Sequence, residues 1–208
     1  MSEPDSERGL LRAVRVMDRL RSPGGCPWDA EQDHRSLAPY LLEEAYEAVD
    51  AIDGADRAHL REELGDVLLQ VLFHARIAAD DETAPFDIDD VADGLADKLE
   101  RRHPHVFGDT VVDGAAQVDV NWEQIKAAEK GRTGPYDGVT WSQPSLSLAA
   151  QVLRRAERAG QSVELAGDDA EAELAASLLQ TVQRAREVGV DPELALRRAL
   201  REFAAERR

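Results

Sequence analysis

One stretch restricts the possible folds more than any other. From Leu64 to Ala79, apolar side chains (Leu64, Val67, Leu68, Leu69, Val71, Leu72, Phe73, Ile77) cover most of the circumference of a helix, and a helix that is apolar all round is a buried one. It is not a membrane span, because Asp66, Gln70, His74 and Arg76 interrupt it. A single polar stripe runs along it: His59, Glu63, Asp66 and Gln70 recur at i, i+4, i+7 and i+11, so they share a face. Buried carboxylates are costly unless paired or metal-bound, and His59 is the one basic residue on the stripe. Something outside this helix must compensate Glu63 and Asp66.

The preceding segment supplies a partner of the same sign. On a helical wheel of Leu41–Ile52, Glu43, Glu44, Glu47 and Asp50 fall on one arc, and Leu41, Leu42, Ala45, Val49 and Ile52 on the opposite one. Alone this describes an ordinary surface helix with a solvated face. The turn from Asp53 to Asp56 is short, however, which makes the two helices antiparallel neighbours. Glu44 and Glu47 can then meet Glu63 and Asp66. Four carboxylates converge only with cations between them, and hard oxygen ligands select Mg²⁺ or Mn²⁺, with Mg²⁺ recruiting substrate phosphates. The competing reading neutralises these acids with Arg or Lys in salt bridges.

Helical periodicity continues almost throughout the 208 residues, and the low aromatic content of 5% favours helices over sheets. The fold class is all-α. Helices are expected from Ser6 to about Leu20, from Ser36 as N-cap to Asp53-Gly54, from Asp56 as cap to about Asp80, and from Asp87 as cap to His103. Further helices are expected over about Val118–Lys130, Ser145–Ala159, Asp169–Val188 and Pro192–Arg207, the last with Asp191 as N-cap. Ser22–Asp29 and residues 105–117 read as loops, and Gly131–Pro144 as a linker.

Cys26 is the single cysteine, so no internal disulfide is possible. With no apolar run behind a basic N-terminal segment, a soluble, cytoplasmic chain is the expectation. The net charge of -17 excludes a protein that tracks nucleic-acid phosphates. It does not exclude a nucleotide, because a bound divalent cation inverts the local sign.

Glu43-Glu44-Ala-Tyr-Glu47, then 15 residues, then Glu63-Leu-Gly-Asp66, resembles the E-E-x-x-E … E-x-x-D signature of the MazG nucleoside triphosphate pyrophosphohydrolases. Gly25-Cys-Pro-Trp-Asp29, Lys98-Leu-Glu-Arg-Arg-His-Pro-His-Val-Phe107 and Trp122-Glu-Gln-Ile-Lys126 resemble that family as well. The resemblance implies a helical bundle, usually a homodimer, that hydrolyses nucleoside triphosphates (NTP or dNTP) to monophosphate and pyrophosphate with Mg²⁺. It implies Glu44, Glu47, Glu63 and Asp66 as metal ligands and, with Glu43, as the catalytic set. Lys98 and Arg102 would face the triphosphate, Trp122 and Lys126 would reach the nucleotide, and His59 stands where relatives can carry a basic residue. Clearance of aberrant nucleotides is the expected purpose. As plain residues, Lys98 and Arg102 read equally as surface cations stabilising a helix C-terminus.

The close resemblance gives a catalytic domain over 1–133, followed by a linker and a degenerate second segment over 134–208. Glu63–Arg76 lines up with Glu173–Arg186, sharing Leu-Leu-Gln and Ala-Arg at one offset. In that echo Ala176 replaces the aspartate, and Gly160–Asp168 is too short for an E-E-x-x-E helix. This copy should hold no metal. Two other readings compete: a non-catalytic helical interaction module, and a di-iron carboxylate bundle using Glu31-x-x-His34 and Glu100-x-x-His103.

Overall fold

The computed structural model describes residues 9–129, 131, 133–165 and 167–207, and among them there are helices and no strand. The chain forms two compact units, Met1–Val111 and Val112–Arg208. Ser6 and Lys130, placed in helices by the sequence, lie outside the described residues.

The first unit is built on a hairpin of two long helices, α3 (His34–Gly54) and α4 (Arg57–Ala78), with α1 (Gly9–Arg21), the short α2 (Pro27–Glu31), α5 (Ile88–Arg102) and the one-turn α6 (Pro104–Phe107) around it. Asp56 caps α4 by accepting from the amides of Ala58 and His59, and Asp87 caps α5 in a capping box with Asp90, as the sequence signals require. α3 begins earlier than its serine suggests. Asp33 is the cap, and Ser36 is the third helical residue, its hydroxyl oxygen accepting from the Asp33 amide. At the other end the left-handed residue is Ala55, with φ of 55°, and Gly54 remains helical.

Short helices replace parts of two expected loops. α2 and α6 each open on a proline at the first turn, where the missing N–H costs nothing. α2 is fixed by the Arg21 guanidinium, which donates to the carbonyls of Asp29 and Gln32. Gly25 allows the approach to α1: a Cβ there would stand 2.2 Å from the Leu20 carbonyl oxygen.

The core of this unit is Met17, Leu37, Leu72 and Phe73, with Val14, Leu68, Leu69, Ile77 and Ile88 packed against it. It covers only one side of the hairpin. The expectation that α4 is enclosed all round does not hold within this chain, since Leu64 is 53% exposed. On α3 the apolar arc faces outward too, with Leu42 at 62% and Ile52 at 60%, while Leu37, Ala48 and Ala51 are buried. The inward strip of α3 thus lies between its two arcs: Glu44 is half-buried beside Ala48 and Ala51, while Glu43, Glu47 and Asp50 are exposed.

The second unit contains α7 (Ala115–Glu129), α8 (Ser145–Arg158), α9 (Ala170–Glu187) and α10 (Pro192–Ala205). α7 starts three residues before the expected Val118. Ala150, Leu153 and Val182 form its core, and Asp191 caps α10 ahead of Pro192 as expected. The segment read as a linker is folded onto α8. Val139 is buried, and Arg155 donates to the carbonyls of Pro135 (3.2 Å) and Asp137 (2.6 Å).

Candidate active site

The hairpin sets the register of the site. His34 meets His74 (Nδ1 to Nδ1, 2.8 Å) at the open end, and Leu37 joins Leu72 and Phe73 in the core. Antiparallel continuation brings the middle of α3 against the first turns of α4. There Glu44, Glu63 and Asp66 each present a carboxylate oxygen, all within 4.8 Å of one another. At an effective dielectric of about 20, two full charges at such a distance repel by roughly 3 kcal/mol, less where solvent reaches them. The Glu44 carboxyl is correspondingly held above the usual carboxylate range. Burial is the first cause, and the charges of Asp66, Glu47, Glu43 and Glu63 follow.

Glu63 is the most enclosed of the three, 8% exposed. One of its oxygens accepts from His59 Nε2 at 2.9 Å. The other, Oε2, is buried without a hydrogen-bond partner. An orphaned buried acceptor on a carboxylate of such a cluster asks for a cation. Three hard-oxygen donors of this kind fit Mg²⁺ or Mn²⁺ and suit softer metals poorly. His59, half exposed, is positioned on a carboxylate rather than standing alone as a phosphate contact.

The remaining expected residues distribute as follows. Glu43 and Glu47 are exposed on α3 at the edge of the cluster, close enough to act on Glu44 but outside the trio. Lys98 is half-buried on α5, and Arg102, 8% exposed, is buried, so it is no surface cation at a helix end. Trp122 and Lys126 are half-buried on α7, in the second unit, with Lys126 Nζ 3.4 Å from Glu123. The E-x-x-H pairs serve other ends: His34 bonds His74, and His103 lies 2.6 Å from the Leu99 carbonyl oxygen. Reading the motif alone passes over Gln70. It lies on the same stripe, is 4% exposed, and has a buried Oε1 without a partner. The i+11 spacing from His59 was the signal that could have singled it out.

The MazG nucleotide pyrophosphohydrolase domain matches residues 32–107, which contain all three clustered carboxylates. The chain is 42% identical to the nucleoside triphosphate pyrophosphohydrolase/pyrophosphatase MazG of Thermotoga maritima, covering 95% of this chain and 84% of that one. It is 50% identical to the nucleoside triphosphate pyrophosphohydrolase of Mycobacterium tuberculosis over 81% of this chain, but spans only 52% of that relative's length. An uncharacterized 26.1 kDa protein of Streptomyces cacaoi is 52% identical, with 91% and 77% covered. These relatives and the all-α fold place the chain among hydrolases acting on acid anhydrides. It belongs to the MazG nucleotide pyrophosphohydrolase family.

Proposed function

We propose that the chain hydrolyses nucleoside triphosphates (NTP or dNTP) to monophosphate and pyrophosphate, by attack of water at the α-phosphate. The observation that carries this reading is the Glu44–Glu63–Asp66 cluster, with a buried orphan oxygen on Glu63. Glu44, Glu63 and Asp66 would hold Mg²⁺, or Mn²⁺ in its place, with Glu47 completing the set from the exposed edge of α3. The cation, when bound, neutralises phosphate charge and lowers the pKa of water.

The protein's own groups do the rest. His59 orients the Glu63 carboxylate through its 2.9 Å contact. Glu43 or Glu47, solvent-exposed beside the trio, accepts the proton of the attacking water. Lys98 and Arg102 on α5 bind the triphosphate. Such chemistry asks mainly for positioning and charge neutralisation.

The exposed apolar arc of α3 and Leu64 of α4 support a homodimer, in which two hairpins would close a four-helix bundle. Among the described residues no helix is long and apolar enough to cross a membrane, and a cytoplasmic role in clearing aberrant nucleotides fits the reading.

The test is incubation of the full chain with a nucleotide panel, with and without Mg²⁺, and identification of the phosphorus products. Monophosphate and pyrophosphate in the Mg²⁺ samples support the proposal. Diphosphate and phosphate place the attack on the wrong phosphorus, and no turnover overturns it.

A further inference from the structure

We infer that Gln70 is a further residue of this site, a positioning residue whose amide oxygen accepts a hydrogen bond from water on the divalent cation; this rests on the metal reading above. Gln70 follows Asp66 by four residues and Glu63 by seven on α4, so it lies about 6 Å further along the helix than Asp66 on the same face. It is 4% exposed, and its Oε1 is buried with no partner. A long amide buried in a helix that otherwise encloses leucine and phenylalanine is costly unless it meets a donor. An apolar side chain of similar length would pack there without that cost.

Two orphaned acceptors, Glu63 Oε2 and Gln70 Oε1, therefore flank Asp66 on one stripe. A cation satisfies the first directly. The second needs a hydrogen, which phosphate oxygens do not carry and Mg²⁺-held water does, because Mg²⁺ usually keeps several waters. The echo in the second unit points the same way. Gln180 on α9 occupies the matching offset, beside Ala176 where α4 has Asp66, and it is exposed. The glutamine is enclosed in the copy that keeps its acids and left to solvent in the copy that lost one.

The experiment measures Mn²⁺ binding to the full chain without nucleotide, by electron paramagnetic resonance of free Mn²⁺ and by calorimetry, for wild type, Gln70→Met and Gln70→Glu. Gln70→Met should weaken Mn²⁺ binding about tenfold or more, as the loss of an outer-sphere partner does. Its melting temperature without metal should equal or exceed that of the wild type, since an orphan acceptor is gone. Gln70→Glu keeps an acceptor and should bind within about threefold of wild type. Gln70→Leu replaces the methionine variant if that one does not fold.

Wild-type binding with an unchanged Gln70→Met affinity overturns the role of Gln70 and leaves the metal reading intact. Equal loss in Gln70→Glu and Gln70→Met also overturns it, because the amide would then be acting through its nitrogen. Failure of the wild type to bind Mn²⁺ overturns both.

Discussion

Helices α4 and α9 carry Glu, Leu, Leu-Leu-Gln and Ala-Arg at matching offsets, yet they enclose different parts of that pattern. Leu72 and its counterpart Val182 are both buried, so this apolar anchor packs alike in the two units. The polar side does not. Glu63 and Gln70 are buried, whereas Glu173 and Gln180 are exposed. The cause is the neighbour. α3 stands against the stripe of α4 and adds Glu44 to it, while α8, which packs on α9 through Ala150 and Leu153, carries no carboxylate before Glu157. Enclosed charge is therefore not inherited with the helix. In α4 it persists where three carboxylates converge, and there the proposed cation would offset its cost.

The largest expected effect lies in the trio. Asp66→Asn or Glu63→Gln should lower kcat/KM by about 10³-fold, since each removes charge that would position the proposed cation, while the circular-dichroism spectrum and melting curve stay native. A silent Glu63→Gln would instead favour a non-catalytic module. Next comes the outward face: Leu42→Glu combined with Leu64→Glu should turn a dimer into a monomer in light scattering, because charges at such an apolar contact are left unpaired.

A smaller effect is expected at Lys98. Lys98→Ala should raise KM about tenfold with kcat changed less, as lost ground-state binding does. Glu173→Gln should leave turnover within about twofold and stability within about 0.5 kcal/mol, as for an ordinary surface substitution. Any larger loss of activity there would break the contrast between α4 and α9.

The smallest expected effect is on pH dependence, at the open end of the hairpin. Burial and the nearby His34 hold the His74 pKa below its usual range. The folded state then binds this proton less readily than the unfolded chain. The contribution of His74 to stability is full above the ordinary histidine pKa of about 6.5 and declines as pH falls below it. Melting curves of wild type and His74→Gln should therefore converge between about pH 7 and pH 5.

Much of this was legible in the sequence because it depends on local chemistry. Aspartate before a helical run marked the starts of α4, α5 and α10, and the apolar frame with one polar stripe marked the site helix. Ser36 misled because serine also serves inside a capping box, where Asp33 is the cap. α2 and α6 are too short, at 5 and 4 residues, for a periodicity to register. The orientation of α3 escaped for a deeper reason. A helical wheel separates an apolar arc from an acidic one, but not which arc meets a helix of the same chain. Here the inward strip runs between the arcs, through Glu44, Ala48 and Ala51, and Leu42 and Glu47 both face out. The narrowing of the cluster to Glu44, Glu63 and Asp66, with Glu47 at its edge, likewise needed coordinates.

In the proposed reaction, water attacks the α-phosphorus at the α3–α4 cluster. Turnover of a nucleoside triphosphate in H₂¹⁸O with Mg²⁺, followed by mass spectrometry of the products, tests this most directly. The prediction is one ¹⁸O in the monophosphate, none in the pyrophosphate, and no labelled product from Asp66→Asn. Label in pyrophosphate or in free phosphate, or undiminished labelling by Asp66→Asn, would contradict it.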